Sequence, residues 1–179
     1  MAGAARHFGY AWRESEVVAE LDRLTAAHAQ GRWLARLTLD RLGIPRATAS
    51  PLVEPALPLR VSLAAGPIED VHHEFLRCKT TRREHYEAFA PRDPGNFDTL
   101  LWNEQGEITE FTRGNVALQI DGCWLTPALS CGLLPGIGRA QFIAQRRIVE
   151  GRVLGADLHR VQAMAFINSA RGWLPARLE

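Results

Sequence analysis

The 179-residue chain predicts an α+β fold, with a small first domain followed by a mainly antiparallel, barrel-like second one. Three observations carry that reading. A single long stretch near the start repeats at helical spacing. Two strand–turn–strand patterns follow one another between residues 99 and 126. Alternating apolar runs at 32–40 and 59–63 are separated by a proline-rich segment. Strands outnumber helices and hairpins dominate the second half, which favours an antiparallel unit or distorted barrel over a layered parallel sheet.

Taken in order, Val17, Val18, Leu21 and Leu24 recur at helical spacing over 15–28, with Ser15 as N-cap and Gly31 as stop. Residues 32–40 alternate apolar and polar side chains as a half-buried strand does, and Gly43 closes them. Pro45, Pro51, Pro55 and Pro58 then leave room for an edge strand at most. Residues 59–63 alternate again. The run Gly66-Pro67-Ile68-Glu69-Asp70 reads as a linker, which divides the chain into domains 1–70 and 71–179.

Beyond it, Phe75-Leu76 reads as an apolar strand ending at Lys79. Residues 99–102 turn through Asn103-Glu104-Gln105-Gly106 into 108–111. Residues 115–120 turn at Asp121-Gly122 into 123–126. Leu133 to Arg139 opens a helix with Phe142, Ile143 and Ile148 on its apolar face. A strand at 152–154, a short helix from Asp157, and strands at 163–169 and 172–175 complete the chain.

Composition narrows the function. With 46% apolar and 23% charged residues the chain is an ordinary globular protein. A net charge of +1 gives no basic field for nucleic acid or anionic lipid. No apolar run reaches bilayer length and no h-region follows Met1, so neither a span nor a signal peptide is expected. The three cysteines lack CxxC spacing and read as reduced thiols of a cytoplasmic protein. His72-His73 has no partners at metal-ligand spacing, so no metal is expected.

The chemistry centres on Lys79-Thr80-Thr81-Arg82-Arg83, one amine beside hydroxyls and guanidiniums. That amine can bond an aldehyde cofactor, and the arginines can hold anions near it; a solvated helix start is the competing reading. Glu110 ends a hairpin strand, where a carboxylate can pair with a protonated ring nitrogen; an exposed strand-end Glu is the alternative. Gly136-Ile137-Gly138 leaves backbone N–H groups open at a helix start, suited to an anion. Asn168-Ser169 can complete a phosphate cup. Arg113 and Arg171 add donors for carboxylates.

The order Lys-Thr-Thr-Arg-Arg, Asp98 to Glu104, Thr109 to Val116, Leu134-Pro135-Gly136-Ile137, then Asn168-Ser169 resembles the class IV (fold-type IV) pyridoxal-phosphate enzymes. Within them it is most similar to the aminodeoxychorismate lyases. The resemblance spans nearly the whole chain and implies the following. Pyridoxal 5'-phosphate is the cofactor, bonded by Lys79. Glu110 pairs with its ring nitrogen. Gly136, Ile137, Gly138 and Ser169 hold its phosphate. Arg82, Arg83 or Arg113 orients the carboxylates of a small-molecule substrate. Gly138 stands where related aminotransferases often have Thr, and Arg82 where many relatives have Asn.

The implied reaction is cleavage of 4-amino-4-deoxychorismate to 4-aminobenzoate and pyruvate, a step toward folate, in a homodimer. The alternatives are a branched-chain or D-amino-acid aminotransferase and an inactive truncated fragment. The last arises because Arg6 to Tyr10 resembles the end of the family's first long helix. The family's additional phosphate-gripping Arg, and the strands before it, are thus expected upstream of this start.

Overall fold

The computed structural model describes residues 1–71 and 73–179; His72, and with it the expectation about the His72-His73 pair, lies outside the described residues. The chain divides into two compact units, Met1–Glu54 and Pro55–Glu179.

The first unit holds α1 (Ala2–His7), α2 (Glu14–Ala27) and an antiparallel ribbon of β1 (Trp33–Leu39) and β2 (Pro45–Pro51). The predicted helix is present as α2, but it is preceded by Arg13 rather than capped by Ser15. Its apolar stripe is divided. Val17 and Leu24 are buried, while Val18 and Leu21 stay exposed. Helix and ribbon are tied by Glu20, which accepts from the Ala47 N–H at 2.7 Å and pairs with Arg23. The prolines sit at the two ends of β2, in a two-stranded sheet where every strand is an edge.

The second unit is built on one eight-stranded sheet, formed by β3 (Leu59–Leu63), β4 (Asp98–Trp102), β5 (Ile108–Phe111), β6 (Asn115–Ile120), β7 (Cys123–Pro127), β8 (Val149–Gly151), β9 (Ala163–Asn168) and β10 (Gly172–Leu178). The order is β5-β4-β3-β10-β9-β6-β7-β8, so β5 and β8 are its ends. Those ends meet: the Ile108 N–H donates to the Val153 carbonyl at 2.8 Å, Glu107 bridges Leu154, and the Gly155 N–H reaches the Gly106 carbonyl. The sheet curls until its edges are joined, which removes the exposed strand edge.

Both faces of the sheet are buried, and the alternation of side chains shows it directly. Leu100, Val116, Leu118 and Phe166 point into one cluster with Ile108 and Phe111. Their neighbours point the other way. Leu101 packs with Ile68, Val71, Leu76 and Tyr86, while Ala117, Ala165 and Ile167 pack under Phe142 and Ile143 of α5 (Ile137–Ala144) and against Trp173.

Several expectations need correction. The domain division falls at Glu54–Pro55 and not at 70–71, because β3 pairs in parallel with both β10 and β4 and so belongs to the second sheet. Phe75-Leu76 is not a strand; it lies in the short helix α3 (Glu74–Arg77), whose start is fixed by the Phe75 N–H donating to His73 Nδ1 at 3.2 Å. The strand expected at 152–154 pairs three residues earlier, at Val149–Gly151, and the predicted residues instead close the sheet. The helix from Asp157 is a 3-10 turn, Gly155–Arg160.

The turn between β4 and β5 is held by one side chain. Asn103, 1% exposed, accepts from the N–H groups of Gln105 and Glu107 and donates to Glu107 and to the Cys131 carbonyl, all within 3.0 Å. Asn103→Ala strands those groups in the interior. The expected cost is about 2–4 kcal/mol of unfolding free energy, measured by denaturant titration, with the β5 end of the hairpin loosened first in hydrogen exchange. A loss within experimental error would show that water replaces the side chain there.

Candidate active site

Lys79 lies on the open stretch between α3 and α4 (Glu84–Glu87), where the chain runs extended after the Cys78 cap. This is a loop, not the end of a strand as expected, because the capped turn of α3 has already used the apolar pair. The Thr80 hydroxyl donates to the Arg82 carbonyl at 3.1 Å and curls the loop. As a residue Lys79 is exposed, yet desolvation around its ammonium lowers its pKa. The positive charge of Arg83 lowers it further, and the negative charge of Glu110 opposes both. An amine so placed gives up its proton more readily than a surface lysine, as a nucleophile must.

Glu110 is the third residue of the four-residue strand β5 and only 3% exposed. Three donors from three segments converge on its carboxylate. Tyr86 Oη donates to Oε1 at 2.6 Å, the Leu134 N–H to Oε1 at 3.2 Å, and Asn115 Nδ2 to Oε2 at 3.3 Å. Burial pushes its pKa up to about 8, against the pull of those bonds and of the Lys79 and Arg83 charges. Among the described residues no cation contacts it as an ion pair. A buried carboxylate with good hydrogen bonds and no counter-ion in contact is suited to receiving a protonated nitrogen, whose charge would return it to the anion.

Asn115 links this carboxylate to the helix start. Its Nδ2 also donates to the Leu134 carbonyl at 2.9 Å, and a Cβ on Gly136 would stand 2.1 Å from its Oδ1. Only glycine fits there. The same holds two residues on: a Cβ on Gly138 would lie 2.9 Å from the Asn168 carbonyl carbon and 3.2 Å from the Ser169 nitrogen. The first turn of α5 therefore presses on the turn between β9 and β10, where Asn168 Oδ1 accepts from the N–H groups of Ala170 and Arg171. Ser169 is exposed on that turn, and Ile137 beside it is 76% exposed. The first N–H groups of a helix have no carbonyl of their own helix to bond. Here they stand next to the backbone of Ser169, a residue that also carries a hydroxyl, a donor set suited to a phosphate. The residues present thus fit pyridoxal phosphate at both ends, ring nitrogen and phosphate.

The three arginines are used differently. Arg82 stacks on Phe75, 5.0 Å from the ring centroid. Arg83 lies 4.7 Å from the Tyr86 ring centroid and donates to the Thr112 carbonyl at 2.5 Å. Arg113 pairs with Asp98 at 3.3 Å and covers Phe97. A groove of about 780 Å³ is lined by Arg60, Thr81, Arg83, Tyr86, Thr112 and Arg113 among others, and leaves out Lys79, Glu110, Gly136 and Gly138. The chemistry locates the site more surely than the size of this neighbouring groove.

Sequence reasoning assigned no role to three residues that build the site: Tyr86, Asn115 and Asp98. Asp98 is fully buried and accepts from the N–H and hydroxyl of Thr112 and from the N–H of Arg113, fixing the turn into β6. Asp98 and Asn115 stood inside motifs already singled out, and Tyr86 follows closely on the Lys79–Arg83 run. What was missing was a pairing partner far along the chain.

The raised pKa of Glu110 has a consequence for stability. Between the ordinary value of 4.5 and about 8 the unfolded chain has lost this proton while the folded protein keeps it. The folded state then binds more protons, so this residue's contribution to stability falls as pH rises through that window and levels off above it. Glu110→Gln removes the titration. Thermal melts of cofactor-free protein from pH 5 to 8 should show the wild type losing stability relative to the variant; a difference that does not change with pH would contradict the burial effect.

Comparison with known proteins identifies the family. The family model for amino-transferase class IV matches residues 1–178. A "Putative aminodeoxychorismate lyase" of Schizosaccharomyces pombe is 29% identical over 96% of this chain and 77% of its own length. The crystal structure of a "Putative amino-acid aminotransferase" from Mesorhizobium loti superposes with a TM-score of 0.88 at 33% identity, over 99% of this chain and 87% of the other. The 4-amino-4-deoxychorismate lyase of Pseudomonas aeruginosa shares the fold, with a TM-score of 0.76 at 19% identity over 99% of this chain and 74% of that one. The chain therefore belongs to the class IV aminotransferase family.

Proposed function

We propose that the protein is a pyridoxal-phosphate-dependent lyase that cleaves 4-amino-4-deoxychorismate to 4-aminobenzoate and pyruvate. The observation that carries the reading is the electrostatic coupling of Lys79 to the buried Glu110 across a loop whose sequence is Lys-Thr-Thr-Arg-Arg. The relative from S. pombe and the structure from P. aeruginosa, both named for this lyase, support the substrate assignment.

When bound, pyridoxal phosphate supplies an aldehyde that bonds amines and a ring that accepts the electron pair left when a C–H bond breaks. The residues of this chain do the rest. The first-turn N–H groups at Ile137 and Gly138, with the Ser169 hydroxyl, would hold the phosphate. Glu110 would accept a hydrogen bond from the ring nitrogen and keep it protonated. Lys79 Nζ, its proton already loosened by Arg83 and desolvation, would take the proton from the amine-bearing carbon of the substrate. Breaking the neighbouring C–O bond releases enolpyruvate and leaves the ring aromatic. The C–O electron pair leaves with the oxygen as an enolate, and the proton on Lys79 returns to its methylene carbon to give pyruvate. Arg82, Arg83 or Arg113 would orient the substrate carboxylates.

A second reading has its own observation. The 33%-identical structure from M. loti is named an amino-acid aminotransferase, and transamination would use the same Lys79, Glu110 and phosphate cup. Incubation with an amino donor and a 2-oxo acid separates the two, since only an aminotransferase then yields a new amino acid.

Lys79→Ala should abolish both the visible absorbance of lysine-bound pyridoxal phosphate and the formation of 4-aminobenzoate; persistence of either would remove Lys79 from its role. The phosphate cup has a separate test. Gly138→Ala sets a methyl against the Asn168–Ser169 backbone, so the helix start or the turn must shift. Affinity for pyridoxal phosphate, followed by absorbance titration, should weaken about tenfold with the circular dichroism spectrum retained. Unchanged affinity would mean the phosphate is held elsewhere.

A further inference from the structure

We infer that Tyr86 is the positioning residue of Glu110, aiming its carboxylate and holding it in the hydrogen-bonding state that a protonated nitrogen requires. The inference rests on the function proposed above for Glu110, and it assigns a role to a residue that the comparisons with relatives leave unassigned.

The geometry is specific. Tyr86 lies in α4, immediately after the Lys79 loop, and its hydroxyl makes the shortest of the three hydrogen bonds to Glu110, 2.6 Å against 3.2 and 3.3 Å. Its ring is buried with Leu76 and Leu101, so the hydroxyl has little freedom to turn away. Above the ring sits the Arg83 guanidinium, itself anchored on the Thr112 carbonyl. Tyr86 is thus clamped between an anchored cation and a packed cluster, with its one polar atom on the carboxylate.

The alternatives are weaker. The Leu134 N–H shares the same oxygen at longer range, and the Asn115 amide divides its donors between Glu110 and the Leu134 carbonyl. Without Tyr86, Oε1 keeps one long bond. A carboxylate so placed is freer to rotate and more costly to ionise.

The charged and titratable groups that face Glu110 are Lys79 and Arg83 from the loop and Tyr86 from α4; from β6 and the segment before α5 come only the neutral Asn115 amide and Leu134 N–H. Burial and the negative charge of Glu110 push the Tyr86 hydroxyl far above the usual phenol range. It therefore remains a donor throughout the pH range in which Glu110 titrates.

The test compares wild type, Tyr86→Phe and Glu110→Gln. In cofactor-free protein labelled with ¹³C at glutamate carboxyls, the resonance absent from Glu110→Gln identifies residue 110. Phenylalanine retains the ring under Arg83 and loses only the donor, so the Glu110 titration should move up by about one pH unit. In the cofactor-bound protein, affinity for pyridoxal phosphate should fall about tenfold. A residue that only fills space would leave the titration where it is, and that result would overturn the inference.

Should Tyr86→Phe fail to fold, wild type alone decides. The Tyr86 Cζ resonance should step at the pH where the Glu110 carboxyl titrates, and a featureless Cζ resonance would overturn the inference equally. A wild type that binds no pyridoxal phosphate would refute the proposed function. The ¹³C titration would still answer for Tyr86.

Discussion

The carboxylate of Glu110 is the point on which the site depends. A buried carboxyl group loses its hydration, and the loss is tolerable only if protein donors replace the water or the group stays neutral. Here both responses are present. Three donors from three segments of the chain surround it, and burial still holds its pKa at about 8. The site is electrostatically incomplete by construction. Its carboxylate has hydrogen bonds but no contacting ion pair among the described residues, which is the arrangement expected where a ligand brings the missing positive charge.

That carboxylate is held in place by the way the sheet is built. β5 is an end strand of only four residues, too short to be secured by its pairing with β4 alone. It is fixed from both ends. Asn103 clamps the turn that leads into it, and the Val153 carbonyl takes its first N–H as the sheet closes on itself. At its exit, Asp98 gathers the backbone of Thr112 and Arg113. Asn103 and Asp98 are buried polar side chains bonded to backbone and neighbouring polar groups, the condition under which such networks rigidify rather than destabilise. Precision at Glu110 is bought from residues that take no part in chemistry.

The hairpins were legible because their information is local. Asp121 and Gly122 both adopt positive φ, at 50° and 78°, the conformation a two-residue hairpin turn demands, and the chain announces it with a residue pair suited to nothing else. The parallel pairing of β3 with β10 and β4 was not legible, since nothing in five alternating residues says that Val61 pairs with Asp98 on one side and Leu178 on the other. For that reason the domain division was set too late in the chain. Phe75-Leu76 was misjudged for a different reason. Two apolar residues suit a buried helix turn as well as a strand, and the deciding signal was the His73 ring nitrogen accepting from Phe75. In the candidate site, Lys79, Glu110 and the glycines were singled out by their order along the chain. Tyr86 went unassigned because its partner is 24 positions on, and a tyrosine in a basic loop carries no mark of it.

The structure also gives Arg83 a further part. From sequence it was one of three interchangeable donors for substrate carboxylates. In the folded chain its guanidinium is committed to the Thr112 carbonyl and the face of Tyr86, while its charge acts on Lys79 and on Glu110 at once. Both effects are a lowered pKa, but one favours a neutral amine and the other a charged carboxylate. A fixed cation lowers the pKa of the amine, freeing its lone pair, and lowers that of the carboxyl, favouring the anion. A lysine at position 83 could supply the charge but not a planar group that stacks on the tyrosine while bonding a carbonyl. The segment from Lys79 to Tyr86 is therefore one electrostatic unit: the amine at its start, the cation in its middle and the donor to Glu110 at its end are set relative to one another by eight residues of backbone before any substrate arrives.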